Sequence, residues 1–210
     1  MVDETSKAVL RRLQDSRYAT RYFVGNGIDI GAGNDSLGRF ANFFPRMTGC
    51  RGWDMPDGDA QFLAGVPDES MDFVHSSHCL EHVENPQEAL HHWLRVLKPG
   101  GHMVVMIPDE DLYEQGVFPS TFNITHRWTF AMCKTKTWSP RSINLMPFLG
   151  QFAGVAQILK LEQLDAAYFF GRPRIDQTLL MTGESALEFV LRKWLPDELA
   201  RGGRLPPVTG

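Results

Sequence analysis

Apolar residues fall along the chain in two textures: short unbroken runs, and stretches that repeat at three- and four-residue intervals. The first repeat comes early. Between Thr5 and Tyr18, Val9, Leu10 and Leu13 share one helical face with charges elsewhere, which predicts an accessory helix within residues 1–24. "GIDI" then reads as a strand, and "SLGRFANFF" as a helix stopped at Pro45. "CRGWD" and "MDFVHSS" are two further strands. The clearest helix is "NPQEALHHWLRVLKPGG": Asn85 caps it, Pro86 takes the first helical position, and Glu88 is spaced for a capping box. Leu90, Trp93, Leu94 and Leu97 repeat along one face before Pro99-Gly100-Gly101 ends the run. "HMVVMIPD" is long and apolar enough for a strand covered on both faces.

Strands alternating with helices predict an α/β fold, a parallel sheet with helices on both faces. After Asp109 the texture changes. Residues 110–154 are aromatic and irregular, which predicts an insert or lid over the sheet. Residues 155–195 offer two strand-like runs, "AQILKLEQLDAAYFFG" and "RIDQTLLMTGE", then a helix with Leu187, Val190, Leu191 and Trp194 on one face. Residues 196–210 read as a loose tail.

The 210 residues, 43% hydrophobic and 22% charged, suit a single domain able to bury roughly 70% of its unfolded surface. Net charge is -4, and basic residues are scattered along the sequence. That speaks against a nucleic-acid partner held by electrostatics. Cys50, Cys79 and Cys133 are odd in number and match no zinc spacing, as for reduced thiols. The first residues lack a signal peptide's apolar region and no run is long enough to span a membrane, so the cytoplasm is the default location.

Ligands of open parallel sheets bind beyond the carboxyl ends of the strands. Three such ends carry suitable groups. At the first, Gly31 and Gly33 allow close backbone approach, with Asp29 and Asp35 beside them. Asp35 occupies the position of a dinucleotide fingerprint's third glycine, and two carboxylates there would repel a pyrophosphate and suit an amino group or a sulfonium cation. At the second, Asp54 can accept hydrogen bonds from both ribose hydroxyls, and Asp59-Ala60 follows where an adenine amino group would lie. At the third, Ser76, Ser77 and His78 are small or polar. Together these favour S-adenosylmethionine over NAD.

The ordered set "GIDIGAGND", "GWD", "GDAQFL", "DESMDFVHSSHCLEHV" and "LRVLKPGGHMVVMIPD" resembles the class I S-adenosylmethionine-dependent methyltransferases, in particular a methyltransferase-domain group with Leu-Glu-His-Val after its fourth strand. The likeness covers residues 25–109. It implies a Rossmann-like, seven-stranded, mostly parallel sheet whose last strand is antiparallel, with the aromatic insert between the family's strands five and six. It also implies cofactor contacts by Asp29, Gly31, Ala32, Gly33, Asp54, Asp59, Ala60, Ser77 and His78. The chain departs from the family at Asp35, where a third glycine is common, and in having almost no helix between strands two and three.

Methyl transfer is an in-line displacement that asks chiefly for alignment, worth about 7–11 kcal/mol in well-oriented cases. A base adds roughly 10²–10⁴-fold where the acceptor must lose a proton. His126, in "FNITHRWTF", is the leading candidate base, His82 a second, and Tyr113 a group to orient the acceptor. His75, His78 and His82 with Glu81 are competent metal ligands, but the first two straddle a strand end and need not converge, so no metal is expected. Arg127, Arg141, Arg172 and Arg174 could bind an anion. The expected reaction is methyl transfer to oxygen or nitrogen of a small-molecule or sugar-type acceptor by a monomer or homodimer. The rivals are an NAD-dependent oxidoreductase and a non-catalytic subunit built on the same fold.

Overall fold

The computed structural model describes residues 4–204. Its strands are β1 (Gly25–Ile30), β2 (Met47–Trp53), β3 (Met71–Ser77), β4 (Leu97–Pro108), β5 (Thr129–Ala131), β6 (Ser142–Asn144), β7 (Ala156–Leu164) and β8 (Ala186–Lys193). The helices are α1 (Glu4–Arg12), α2 (Pro86–Val96), α3 (Leu145–Gly150) and α4 (Pro196–Ala200). Six strands form one sheet in the order β2-β1-β3-β4-β8-β7, and β5 and β6 pair separately. β1 to β4 are mutually parallel, while β8 runs antiparallel to both β4 and β7. Connections that return each strand to the same end gather the carboxyl tips of β1, β2 and β3 at one edge, where a ligand can lie.

Both faces of the sheet are covered, and β4 displays this by alternation. Met103, Val105 and Ile107 join the core under α2 with Leu90, Trp93 and Leu94, whereas Val104 points to the opposite core of Tyr18, Phe23, Phe44 and Phe73. The cap of α2 forms as expected, Asn85 accepting from the backbone N–H of Gln87 and Glu88 at 3.1 and 3.2 Å. Its return half differs. Glu88 accepts from Gln61 Nε2 at 2.6 Å, and Gln61 Oε1 takes the Asn85 N–H at 2.8 Å, so one glutamine bridges the loop after β2 to the helix start.

Several expectations change, the helix read at "SLGRFANFF" among them, which is the 3-10 helix Leu37–Phe43. The sheet has six strands and not seven, because between Trp53 and Met71 Pro56, Gly58, Gly65 and Pro67 break the chain into turns and a short 3-10 segment, Met55–Asp57. The stretch read as a C-terminal helix is strand β8; Ala186 to Arg192 is buried on both faces between β4 and β7, and such a run shows helical spacing by chance. "RIDQTLLMTGE" holds a 3-10 turn, Gln177–Leu179, and no strand, so β7 pairs with β8 instead. Finally, α1 buries Thr5, Lys7, Ala8, Val9 and Arg12, and leaves Leu10 67% exposed. An arginine occupies the place of the expected apolar residue.

Arg12 explains that exchange. Its guanidinium is fully buried, donating to Glu188 Oε2 at 2.8 and 3.0 Å and to His75 Nε2 at 2.9 Å. The other ring nitrogen of His75 donates to Asp29 Oδ1 at 2.5 Å. One buried polar chain thus ties β1, β3, α1 and β8. The supposed loose tail begins with α4, held by Arg192 Nη1 donating to Glu198 Oε2 at 2.5 Å; residues 205–210 lie outside the described chain.

Candidate active site

Gly31 and Gly33 form the turn at the tip of β1 with φ of +73° and +49°. A Cβ on Gly31 would come within 2.6 Å of Cys79, while one on Gly33 would face open space. This bare turn forms one wall of a cleft of about 760 Å³. Asp54, Asp59 and Ala60 supply the second wall, and His78, His82 and Thr125 the far end. Asp54 directly follows β2 and caps the 3-10 turn by accepting the Met55 N–H at 2.7 Å; Asp59 accepts the Gln61 N–H at 2.8 Å. Trp93 Nε1 donates to the Ala60 carbonyl at 2.8 Å, so α2 holds this loop at a fixed depth.

Not every residue singled out from the sequence reaches the cleft. Asp29 is 1% exposed, and both its oxygens are engaged, Oδ1 by His75 and Oδ2 by the Leu37 N–H at 2.7 Å. Asp35 accepts the Ser6 N–H at 2.7 Å and the Ser6 hydroxyl, which pins the start of α1. The carboxylates that line the cleft are therefore Asp54 and Asp59, and the other two hold the turn and helix from behind. Ala32 and Ser77 also lie off the cleft lining. Cys79, Val83, Met55, Gly58 and Thr125 line it, although none was singled out from the sequence as a cofactor contact; all but Met55 stand inside the quoted motifs.

A second cavity, about 600 Å³, opens beyond the first and shares His78 and His82 with it. Its walls include Glu4, Glu81, Tyr113, Asn123, His126 and Asp176. The insert roofs it because Arg127 and Trp128 donate their backbone N–H groups to the Glu81 carbonyl at 2.9 and 3.3 Å, and Trp128 Nε1 donates to Val83 at 3.0 Å. That strap sets His126 beside His82, their rings 5.0 Å apart, and Tyr113 stands 5.2 Å from His126. Trp128 itself packs against the core under Arg141 and does not line the cavity.

His82, Tyr113 and His126, separated by up to 44 positions in sequence, thus meet in one space. The candidate arginines do not. Arg127 pairs with Glu84 at 2.6 Å, Arg141 stacks on Trp128, Arg172 lies over Phe169, and Arg174 donates to the Glu114 carbonyl and to Thr121. Carboxylates and imidazoles therefore dominate the cavity.

At its floor lies Glu81, fully buried, with neither carboxylate oxygen hydrogen-bonded among the described residues. Burial alone would raise its pKa, but His78 at 3.5 Å, with His82 and His126, outweighs this and holds it below the usual carboxylate range. Burial would likewise depress His78, yet Glu81 and Glu4 leave it raised.

Residues 8–146 match the profile of the methyltransferase-domain family, and the chain belongs to that family. It is an S-adenosylmethionine-dependent methyltransferase by class, with S-adenosylmethionine as cofactor. No curated protein matches the chain. Among solved structures, a SAM-dependent methyltransferase from Archaeoglobus fulgidus is 17% identical over 90% of this chain and 94% of its own, with a TM-score of 0.57. An S-adenosylmethionine-dependent methyltransferase from Mesorhizobium loti is 15% identical over 88% and 97%, with a TM-score of 0.52. A chain from a complex containing the Haloferax volcanii Trm112 methyltransferase activator is 14% identical over 93% and 100%, with a TM-score of 0.50. These likenesses concern the fold.

Proposed function

We propose that the protein methylates an oxygen or nitrogen of a small polar acceptor, of sugar or amine type, bound in the cavity beyond the glycine-tip cleft. One observation carries this reading: His78 and His82 line both spaces, so a donor in the first and an acceptor in the second would meet at those imidazoles. Both volumes lie in the range of roughly 300–1,000 Å³ usual for small-molecule sites. In this reading Asp54 accepts from the donor's ribose, Asp59 and Ala60 face its adenine, and Gly31 and Gly33 admit its methionine end.

The acceptor's lone pair forms the new bond to the methyl carbon while the carbon–sulfur bond breaks, its electron pair passing to sulfur. Tyr113 orients the acceptor, and the imidazoles with Glu81 make its proton removable. Glu4, Glu81 and Asp176 favour a neutral or cationic acceptor over an anion.

The test is methyl incorporation, read by mass spectrometry, across a panel of neutral sugars, amino sugars and amines. His126→Ala should lower turnover about 10²-fold or more with donor affinity unchanged. Donor binding without methylation of any small acceptor, together with methylation of RNA or protein, would overturn the acceptor class.

A further inference from the structure

We propose that Glu81, His82 and His126 bind one divalent first-row transition cation, Zn²⁺ foremost, on the floor of the acceptor cavity. The three ligand atoms lie within 4.8 Å of one another. Glu81 Oε1 is 3.7 Å from His82 Nε2 and 3.9 Å from His126 Nε2. Ligands at about 2.0–2.2 Å from one tetrahedral ion stand roughly 3.4 Å apart, so the two Glu81–imidazole spacings close with shifts of a few tenths of an ångström and the widest spacing in the set closes by at most about 1.4 Å. At their present spacing the three groups do not hydrogen-bond each other.

The outer contacts of both imidazoles point the same way. His126 Nδ1 lies 2.7 Å from Glu114 Oε1, which only accepts when ionised, so Nδ1 carries the proton and Nε2 keeps its lone pair toward Glu81. For His82, the Thr125 hydroxyl spends its single proton on Asn123 Oδ1 at 2.6 Å. The His82 Nδ1 proton therefore goes to Thr125, whose carbonyl lies at 3.2 Å, again leaving Nε2 free. A carboxylate behind one histidine and a carbonyl behind the other is the arrangement that orients metal-ligating imidazoles. Glu81 supplies the second observation: a fully buried carboxylate that faces the same centre with neither oxygen in a well-aligned hydrogen bond among the described residues, its nearest charged neighbour being His78 Nδ1 at 3.5 Å.

Two imidazoles with one carboxylate suit zinc or iron-group ions better than magnesium or calcium, which prefer oxygen. Three protein ligands leave a coordination position toward the cavity. An acceptor hydroxyl bound there gives up its proton to solvent more readily, and its oxygen then takes the methyl group. His126 acts in this account as a ligand. That use of the ion rests on the methyl-transfer reading above, whereas its binding does not, so the two fail separately.

The test uses the full chain, treated with EDTA and dialysed, then titrated with ZnCl₂ and separately with MgCl₂ by calorimetry. The expected result is one Zn²⁺ per chain, no comparable Mg²⁺ binding, and a Co²⁺ visible spectrum of low-symmetry coordination. Glu81→Gln and His126→Ala should each weaken Zn²⁺ by more than 100-fold, and Glu114→Gln by about 10–100-fold. Unchanged binding of S-adenosylhomocysteine shows that each variant is folded. Should Glu81→Gln misfold, His82→Ala carries the test, because that side chain is 31% exposed and outside the core. No Zn²⁺ bound, or binding unaltered by these substitutions, overturns the site while leaving the methyltransferase reading intact. Zn²⁺ bound without any donor binding does the reverse.

Discussion

At the scale of single residues, the candidate site was legible where a side chain sits at a strand tip and illegible where its role depends on what lies behind it. Asp54 and Asp29 look alike in sequence, each closing a short apolar run before a turn. The structure separates them, since Asp54 faces the cleft and Asp29 is consumed by His75 and Leu37. Asp54→Ala should therefore weaken donor binding by more than about 1 kcal/mol in calorimetry, through loss of a charged hydrogen-bond partner. Unchanged affinity would remove it from the site. Asp109 carries a different prediction. Burial raises its carboxyl to about 6, against the N–H groups of Leu112 and Asp111 that favour the charge. A carboxyl raised in the folded state contributes stability below its unfolded pKa near 3.8, and that contribution is lost as pH climbs through about 6. Asp109→Asn keeps the cap without the charge. It should leave the protein as stable at pH 4 and more stable at pH 8, by on the order of 2–3 kcal/mol in urea denaturation. An equal effect at both pH values would refute the assignment.

At the scale of elements, α1 is held to the sheet more by charge than by apolar area. Glu188, on central strand β8, receives Arg11 and Arg12, the Tyr18 hydroxyl, and Lys160 at 3.0 Å. These cations outweigh the effect of burial and keep its carboxyl well below the usual range. Removing one partner of a buried pair costs about 3–5 kcal/mol, so Arg12→Leu should destabilise the fold by nearly that amount in guanidinium melts. The remaining donors set the lower end. The helix is also a wall of the second cavity, the proposed acceptor site, through Glu4, and Lys7 donates to the carbonyls of Thr178 and Gly183 in the segment beside it. Loosening α1 should thus impair acceptor use before donor binding. None of this was legible beforehand, because Arg12 stands at a core position and periodicity counts only apolar residues. α2, by contrast, was readable from its cap through Leu94, since it has one buried face and a local signal at its start; its end was misplaced, because Leu97, counted on the apolar stripe, and the Pro99-Gly100-Gly101 stop already belong to β4. β8 defeated the same method; buried on both faces, it has no polar stripe to give a period.

At the scale of the whole molecule, sequence order misleads about charge. The basic residues are dispersed along the chain, yet Arg17, Arg21, Arg46, Lys98 and Arg204 converge on one groove of about 840 Å³ with Lys98-Pro99-Gly100-Gly101, at the amino end of β4. Scatter in sequence is therefore no argument against a polyanion at that surface, and the acceptor class rests on the cavity at the opposite strand ends. There the cleft draws on four distant segments: the β1 turn, the loop after β2, the His78–Val83 turn and Thr125 of the insert. In the unfolded chain these segments are apart and bind nothing together, so a donor that bridges them stabilises the native state alone. At a concentration 100 times its Kd, S-adenosylmethionine should add about 2.7 kcal/mol. For a chain of this size each kcal/mol is worth roughly 2–4 °C, so the melting temperature should rise by about 5–10 °C. S-adenosylhomocysteine keeps the adenine, ribose and amino-acid contacts and should give a shift of similar size. A thermal scan without response to either sulfur ligand would mean that the four segments do not form a donor site, whatever their arrangement in space.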